Sequence, residues 1–266
     1  MNTYFQMILL AIVQGLTEFL PVSSSGHLVL AKHFLDFTAM GGLGVELLLH
    51  GGTLVAVLFF YRKLLKEVAV GLVRGEKSAW TFAVAILLSM IPAVVLGFCF
   101  EDALEAAAES PVFVCCSLIF TGLLLLATRL WGRDRGREVT PMRGVAMGVA
   151  QAIAMLPGVS RSGSTIAMSR FLGVKSERAA AFSFLMVVPV IVGGNLLHVV
   201  RMLGDSASAF DGLTAGLAIT GFVVAGVVGY ASVAWMVRLL NRQHFWRFGF
   251  YCFALGVGGL VWFCCV

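Results

Sequence analysis

The chain has 266 residues, of which 59% are hydrophobic and only 12% are charged, and its mean hydropathy is +0.95. This composition excludes an ordinary soluble domain and predicts an integral membrane protein. The net charge of +5 does not indicate a nucleic-acid partner, because the basic residues gather in short loops between apolar segments, where they set membrane orientation. The six cysteines show no CxxC or Cys/His spacing of the kind that binds zinc.

Several apolar stretches are long enough to cross about 30 Å of hydrocarbon as helices. They lie near residues 43–61, 80–100, 112–130, 179–200, 213–237 and 246–265. No segment alternates in the manner of an outer-membrane β-barrel strand. The sequence therefore predicts an all-α polytopic membrane protein with six transmembrane helices, forming a single membrane domain over residues 1–266.

The loops between these helices differ in charge. Loops 62–78, 129–143 and 238–247 are rich in Lys and Arg and are predicted to be cytoplasmic. Loops 101–111 and 201–211 contain a single Arg between them and are predicted to lie on the outside of the membrane. With this assignment all six helices alternate in direction without conflict.

Two stretches near residues 3–37 and 144–175 remain outside the six helices. Each has two short apolar segments around a polar motif, QGLTEFLPVSSSGH at 14–27 and QAIAMLPGVSRSGS at 151–164. A constant shift of 137 residues, from Gln14 to Gln151, aligns the two motifs. Gly, Pro and Ser break helices, and broken backbone at membrane depth is tolerated only inside protein or beside a wet cavity. We therefore expect two re-entrant helical hairpins whose tips meet near the membrane midplane.

The loop charges place the entry of the first hairpin outside and that of the second in the cytoplasm. The chain is then an inverted-topology repeat, with repeat one at about 1–130 and repeat two at about 144–266. A site between broken helices of two such repeats is typical of secondary transporters. A transporter is therefore one interpretation of this architecture.

Three ionisable side chains lie in the two motifs, Glu18, His27 and Arg161. Such groups are costly in an apolar layer and by default mark a functional site. Gln14 and Glu18 share one helix face and would present two oxygen ligands to Mg²⁺ or Ca²⁺, with a substrate phosphate supplying more. The competing interpretations are helix–helix hydrogen bonding for this pair, a structural hydrogen bond to a carbonyl for His27, and snorkelling to the headgroups for Arg161.

Both motifs also offer an anion-binding nest. Arg161 precedes a predicted helix start, where free backbone N–H groups and the guanidinium favour phosphate. The predicted substrate-binding residues are Ser23, Ser25, Gly26, Ser160, Arg161, Ser162, Gly163 and Ser164. Two facing nests suit a diphosphate, although at least two of the serines are expected to cap helices.

Several residues are candidates for the chemical step. His27 would serve as general acid, general base or nucleophile, and Ser24 or Ser23 would attack if activated. Attack by Ser24 with His27 as base and attack by a water activated by His27 or Glu18 both stay open. Glu46 and His50, one helical turn apart, either support the site or join helices.

The two motifs resemble those of the bacitracin-resistance family of undecaprenyl-diphosphate phosphatases. QGLTEFLPVSSSGH is similar to the family's (E/Q)xxxE motif and PVSSxGH box, and PGVSRSGST at 157–165 is similar to its PGxSRSG motif. The resemblance extends over essentially the whole chain. It implies a metal-dependent hydrolase of the bacterial inner membrane that faces the periplasm and removes the terminal phosphate of undecaprenyl diphosphate. That reaction would recycle the lipid carrier for cell-wall synthesis and give bacitracin resistance.

By this resemblance, the catalytic residues are Glu18, Ser24, His27 and Arg161, and the metal positions are Gln14 and Glu18. Gln14 stands where many relatives have Glu, which puts in doubt a mechanism needing two carboxylates there. The implied substrate is a polyprenyl diphosphate lipid and the implied cofactor a divalent cation, Mg²⁺ or Ca²⁺; a homodimer stays open. The alternative is a transporter or flippase for a polyprenyl phosphate lipid, and both activities in one protein are compatible with the sequence.

Overall fold

The computed structural model of the chain describes residues 3–35, 43–193 and 213–265. Within these ranges the protein is helical and contains no β-strand, which confirms the all-α prediction. The helices are α1 Thr3–Phe19, α2 Ser24–Leu35, α3 Leu43–Phe60, α4 Arg62–Val73, α5 Lys77–Cys99, α6 Glu101–Ala108, α7 Pro111–Trp131, α8 Pro141–Ile153, α9 Arg161–Phe171, α10 Ser176–Leu185, α11 Ala215–Asn241 and α12 Phe248–Cys265. After a turn at Met186, helix continues over residues 187–193.

Five helical stretches in the described ranges are long and apolar enough to cross a membrane. They are Lys77–Cys99, Pro111–Trp131, Ser176–Gly193, Ala215–Asn241 and Phe245–Cys264. A sixth span is formed if Gly44–Phe60 and Arg62–Val73, bent by 69° at their junction, are taken together. Five of these stretches correspond to the spans predicted at 80–100, 112–130, 179–200, 213–237 and 246–265, whereas the span predicted at 43–61 is long and apolar enough only together with residues 62–73. The end of the span predicted at 179–200 and the loop 201–211 lie outside the described residues. The protein is a multi-pass membrane protein.

Two segments predicted as loops are helical. Residues 62–73 form α4, whose less exposed side chains recur at helical spacing, at Leu64, Leu65 and Val68. The basic residues of the segment dominate its composition and favour a loop prediction over this short amphipathic pattern. α4 packs on α5, where a Cβ on Gly71 would lie 2.7 Å from the Cβ of Ala79. The acidic segment after α5 likewise forms the short helix α6.

The two broken regions, formed by α1 with α2 and by α8 with α9, each pack against a long helix of the other half of the chain. α1 lies on α11, where a Cβ on Gly15 would come within 2.9 Å of the Ala225 carbonyl oxygen. α8 lies on α5, where a Cβ on Gly144 would come within 2.7 Å of the Ala85 carbonyl oxygen. Glycine lets helix backbones approach this closely in membranes. The crossed packing is what an inverted repeat produces; the inverted topology and the re-entrant entry of the hairpins stay predictions.

The tips of the two broken regions touch each other. A Cβ on Gly26 would lie 3.2 Å from the Cα of Gly158. Gly158 has a φ of +90°, a conformation that side-chain-bearing residues rarely adopt, and a Cβ there would lie 2.7 Å from the Cβ of Ser117. Thr121 of α7 holds the second tip by donating to the Gly158 carbonyl at 3.1 Å. Cys252 of α12 contacts the first tip through the Pro21 carbonyl at 3.4 Å.

The connection between α7 and α8 is held by Asp134. Its carboxylate accepts hydrogen bonds from the backbone N–H and the hydroxyl of Ser176, both at 2.8 Å, and from the Gly136 N–H at 2.9 Å. Burial alone would raise the pKa of Asp134, but the hydrogen bonds from Gly136 and Ser176 and the nearby charge of Arg170 outweigh it and lower the pKa below its ordinary value.

We expect Asp134→Ala to lower the free energy of unfolding by about 1–3 kcal/mol, because it leaves the Ser176 N–H at the start of α10 without its partner. The pKa of Asp134 is lower in the folded protein than in the unfolded chain, where it is about 3.9. The stabilisation is therefore present above that pH and is lost as the pH falls through the pKa of Asp134 in the folded protein. Thermal unfolding in detergent from pH 7 to pH 3 checks it against the exposed control Glu138→Gln. A wild-type advantage that stays constant down to pH 3 would contradict this explanation.

Candidate active site

Glu18, at the end of α1, is the centre of the site and is only 7% exposed. Its Oε1 accepts a hydrogen bond from the guanidinium of Arg161, the first residue of α9. Its Oε2 accepts from Gln14 Nε2 and from Ser24 Oγ, both at 2.9 Å. One carboxylate therefore joins the two tips.

The local sequence explains how these groups converge. Gln14 and Glu18 are four residues apart on α1, so their side chains lie one above the other on one face. Ser24 and Arg161 are the first residues of α2 and α9 and occupy matching places in the two motifs. Because the tips touch, both helix starts reach the same carboxylate. Arg161 does not snorkel towards a membrane surface; it pairs with Glu18.

Each tip has a serine that caps its helix and contacts a second serine. The capping hydroxyl accepts the N–H of a glycine three residues on, at 3.2 Å in the first tip and 3.1 Å in the second. It lies 3.3 Å from the hydroxyl of the serine two residues on in both tips. The residues are Ser23, Ser25 and Gly26 in the first tip and Ser160, Ser162 and Gly163 in the second. The expected capping by two serines is confirmed for Ser23 and Ser160.

Both ring nitrogens of His27 are engaged. Nδ1 lies 2.7 Å from the Ser23 carbonyl oxygen, so Nδ1 carries a proton and donates it. Nε2 lies 2.7 Å from the hydroxyl of Tyr251 on α12. In the described part of the chain no hydrogen bond or ion pair joins His27 to Glu18 or Arg161. The competing interpretation of His27 was a structural hydrogen bond to a carbonyl, and His27 does make such a bond to Ser23.

His50 of α3 is the imidazole that contacts the central carboxylate. Its Nε2 lies 3.6 Å from Glu18 Oε2, and its Nδ1 donates to the Glu46 carbonyl at 2.8 Å. Its side chain is 31% exposed, so it borders open space. Of the two interpretations left open for His50, the structure favours a supporting group of the site.

Several buried polar atoms around the tips have no partner in the described ranges. They are Gln14 Oε1, Arg161 Nη1, Ser164 Oγ and both amide atoms of Gln151. An unpaired buried polar group costs about 1–3 kcal/mol, so these atoms indicate a polar occupant such as water or a ligand. Gln151 aligns with Gln14 when the two motifs are superposed in sequence. This alignment is the signal from which Gln151 could have been predicted as a site residue.

The donor set fits a divalent cation only in part. Gln14 Oε1 is an unpartnered oxygen beside Glu18, and hard cations take carboxylate and amide oxygens. In the described ranges no group of three or more His, Cys, Asp or Glu side chains is arranged to hold a metal. The cation would therefore need further oxygen ligands from a bound phosphate.

An apolar groove adjoins the site. It has a volume of about 460 Å³ and lies between α1, α11 and α12. Its lining residues are Leu16, Thr17, Leu20, Val22, Trp235, Leu239, His244, Arg247, Phe248 and Tyr251. Tyr251 lines the groove and also contacts His27, so the groove lies beside the first tip.

Comparison with known proteins identifies the family. The profile of the family described as "Bacitracin resistance protein BacA" matches residues 7–258. The chain is 39% identical over 260 residues to the undecaprenyl-diphosphatase of Rubrobacter xylanophilus, covering 94% of each chain. It is 40% identical over 266 residues to the undecaprenyl-diphosphatase of Christiangramia forsetii, covering 97% of each, and 37% identical to undecaprenyl-diphosphatase 1 of Bacillus licheniformis, covering 96% of each. The chain belongs to the bacitracin resistance protein BacA family.

Proposed function

We propose that this protein hydrolyses undecaprenyl diphosphate to undecaprenyl phosphate and inorganic phosphate. The observation that carries the proposal is the largely buried pair of Glu18 and Arg161, which joins the two tips; Arg161 Nη1 and Gln14 Oε1, which belong to the pair and to a neighbour of Glu18, have no partner among the described residues. The names of the relatives, undecaprenyl-diphosphatases at 36–40% identity over nearly their whole length, support the substrate and the reaction.

Arg161 and the second tip would bind the terminal phosphate. Arg161 Nη1 is buried and unpartnered, so it has a hydrogen bond to offer beyond the one that Nη2 donates to Glu18. Ser164 Oγ, only 3% exposed and also unpartnered, lies on the same helix one turn further on. Together with the N-terminus of α9, these groups favour an anion with several oxygens.

The charges of the site support a divalent cation. Glu18 and Arg161 offset each other, so the negative charge of a bound diphosphate would remain uncompensated in a buried place. Gln14 Oε1 and Glu18 would hold Mg²⁺ or Ca²⁺ jointly with the diphosphate. When bound, the cation neutralises negative charge that develops on the phosphoryl oxygens.

The contact between Ser24 and Glu18 supports Ser24 as the nucleophile. Ser24 Oγ donates to Glu18 Oε2 at 2.9 Å, so this carboxylate is placed to take the hydroxyl proton. Ser24 Oγ would form a bond to the terminal phosphorus while the anhydride P–O bond breaks and undecaprenyl phosphate leaves. Water would then hydrolyse the phosphoserine and release inorganic phosphate.

This order of events predicts a covalent intermediate. Rapid acid quenching with substrate labelled in the terminal phosphate should give labelled protein, and peptide mapping should place the label on Ser24. Ser24→Ala should abolish both the label and turnover. Full turnover by Ser24→Ala, with no labelled wild-type protein, would contradict this step and favour direct attack by water.

The apolar groove is a suitable place for the first part of the prenyl tail, since it adjoins the first tip and most of its lining is aliphatic or aromatic. Membership of the family supports placing the protein in the bacterial inner membrane with its site open to the periplasm. There it would recycle the lipid carrier for cell-wall synthesis and contribute to bacitracin resistance.

The crossed packing of the two broken regions supports a second candidate function, transport of a polyprenyl phosphate lipid across the membrane. A protein that only transports needs no nucleophile and releases no phosphate in detergent, where there is no membrane to cross. The two functions are therefore separated by one assay.

Purified protein in detergent is expected to release inorganic phosphate from undecaprenyl diphosphate. A chelator should abolish release, and added Mg²⁺ or Ca²⁺ should restore it. Absence of release under all of these conditions would contradict hydrolysis and favour the transport function. Release that is insensitive to the chelator would remove the cation from the mechanism.

A further inference from the structure

We propose that Tyr251 is a positioning residue that, through His27, holds the turn presenting Ser24. The inference rests on the function proposed above and concerns the same site. Tyr251 lies in the first turn of α12, far from His27 in sequence, and its hydroxyl is 2.7 Å from His27 Nε2. The two rings are nearly parallel, with an interplanar angle of 8° and centroids 5.7 Å apart.

The hydrogen bonds define the state of the His27 ring. A carbonyl oxygen only accepts, so His27 Nδ1 carries the proton that it donates to Ser23. In the neutral ring Nε2 is then an acceptor, and the Tyr251 hydroxyl donates to it. The imidazole is therefore fixed at both nitrogens.

His27 in turn holds a strained turn. Ser23, whose carbonyl accepts from His27, has a φ of 66°, which is uncommon for a residue with a Cβ. Ser24 follows directly and donates to Glu18. A series of contacts thus runs from Tyr251 through His27 and Ser23 to the proposed nucleophile.

The residue that follows Tyr251 on α12 also contacts the first tip. Cys252 contacts the Pro21 carbonyl oxygen at 3.4 Å, so two successive residues of α12 bind the first tip. The Tyr251 ring also lines the apolar groove. Removing only the hydroxyl leaves that lining in place, and the variant should therefore bind the lipid as before while the chemical step slows.

Tyr251→Phe is expected to lower kcat about tenfold with KM within twofold of wild type, since one hydrogen bond in the series is lost. The matched control is Tyr230→Phe, which removes a phenol hydroxyl from a ring that packs on Phe59 and Phe60 and should leave both constants unchanged. A Tyr251→Phe enzyme with wild-type kcat would overturn the proposal.

A second variant separates positioning from proton transfer. Asn at position 27 keeps an N–H near the place of Nδ1 but has no titratable nitrogen, so His27→Asn should be at least tenfold more active than His27→Ala. Equal loss in both would overturn the proposed role of His27 in holding the turn.

A spectroscopic readout keeps this inference separate from the proposed function. In ¹⁵N spectra of histidine-labelled protein, assigned with His27→Ala, Tyr251→Phe should shift the His27 Nε2 resonance and Tyr230→Phe should not. An unchanged resonance would overturn the contact with Tyr251 even if the wild-type protein released no phosphate. Absence of phosphate release with a shifted resonance would instead contradict the proposed function alone.

Discussion

Arg161→Ala is expected to lower kcat/KM for phosphate release by about 10³-fold, the size of effect that follows loss of a single preorganised donor to a developing negative charge. The variant removes both the unpartnered Nη1 and the Nη2 that donates to Glu18. Arg161→Lys should recover part of the loss, because it restores the charge without the bidentate fork. Phosphate release over a range of substrate concentrations measures the effect.

The chain contains a matched control for this substitution. Arg178 lies 3.5 Å from Glu138, and the two side chains are 45% and 66% exposed, so they form the same kind of pair at the surface. Such exposed pairs contribute little to stability. Arg178→Ala should retain wild-type activity. An Arg161→Ala enzyme within tenfold of wild type would show that the guanidinium does not bind the reacting phosphate.

Glu18→Gln is expected to lower kcat/KM at least as strongly. The substitution keeps the size of the side chain but removes the acceptor for the Ser24 proton and the charge that faces Arg161. It also leaves a largely buried guanidinium uncompensated, which typically costs about 3–5 kcal/mol of stability. Activity should therefore be measured on the folded fraction isolated by size-exclusion chromatography.

Glu138→Gln provides the control for Glu18→Gln, since it removes the carboxylate of the exposed pair. It should change neither the activity nor the melting temperature by a measurable amount. A Glu18→Gln protein that is folded, melts at the wild-type temperature and hydrolyses the substrate normally would contradict the assignment of Glu18 as the centre of the site.

Much of the fold could be predicted because apolar length and loop charge are local properties of the sequence. The broken segments were predicted from Pro21, Pro157 and the glycine and serine residues beside them, and the helices do break at those places. The helical character of α4 was missed, since its few less exposed aliphatic residues are a weak signal beside the five basic residues of the segment 62–78. Which helix each broken segment packs on depends on glycine contacts such as that of Gly15, and no local pattern specifies the partner.

The candidate site was predictable where its residues lie within one motif. Gln14 and Glu18 follow from helical spacing, and Ser24 and Arg161 follow from their place at helix starts. The direct pairing of Glu18 with Arg161 was not predicted, because each residue was expected to bind a ligand and the contact spans 143 residues of sequence. Tyr251 was missed for the same reason, since it lies 224 residues from His27 in a segment that reads as an ordinary apolar helix.

The most direct test of the site is a double-mutant cycle on kcat/KM with Glu18→Gln, Arg161→Ala and the double variant. Residues that act as one unit are strongly non-additive, so we expect the double variant to be within about threefold of the worse single variant. Losses that multiply in the double variant would contradict a single catalytic cluster formed by the two tips.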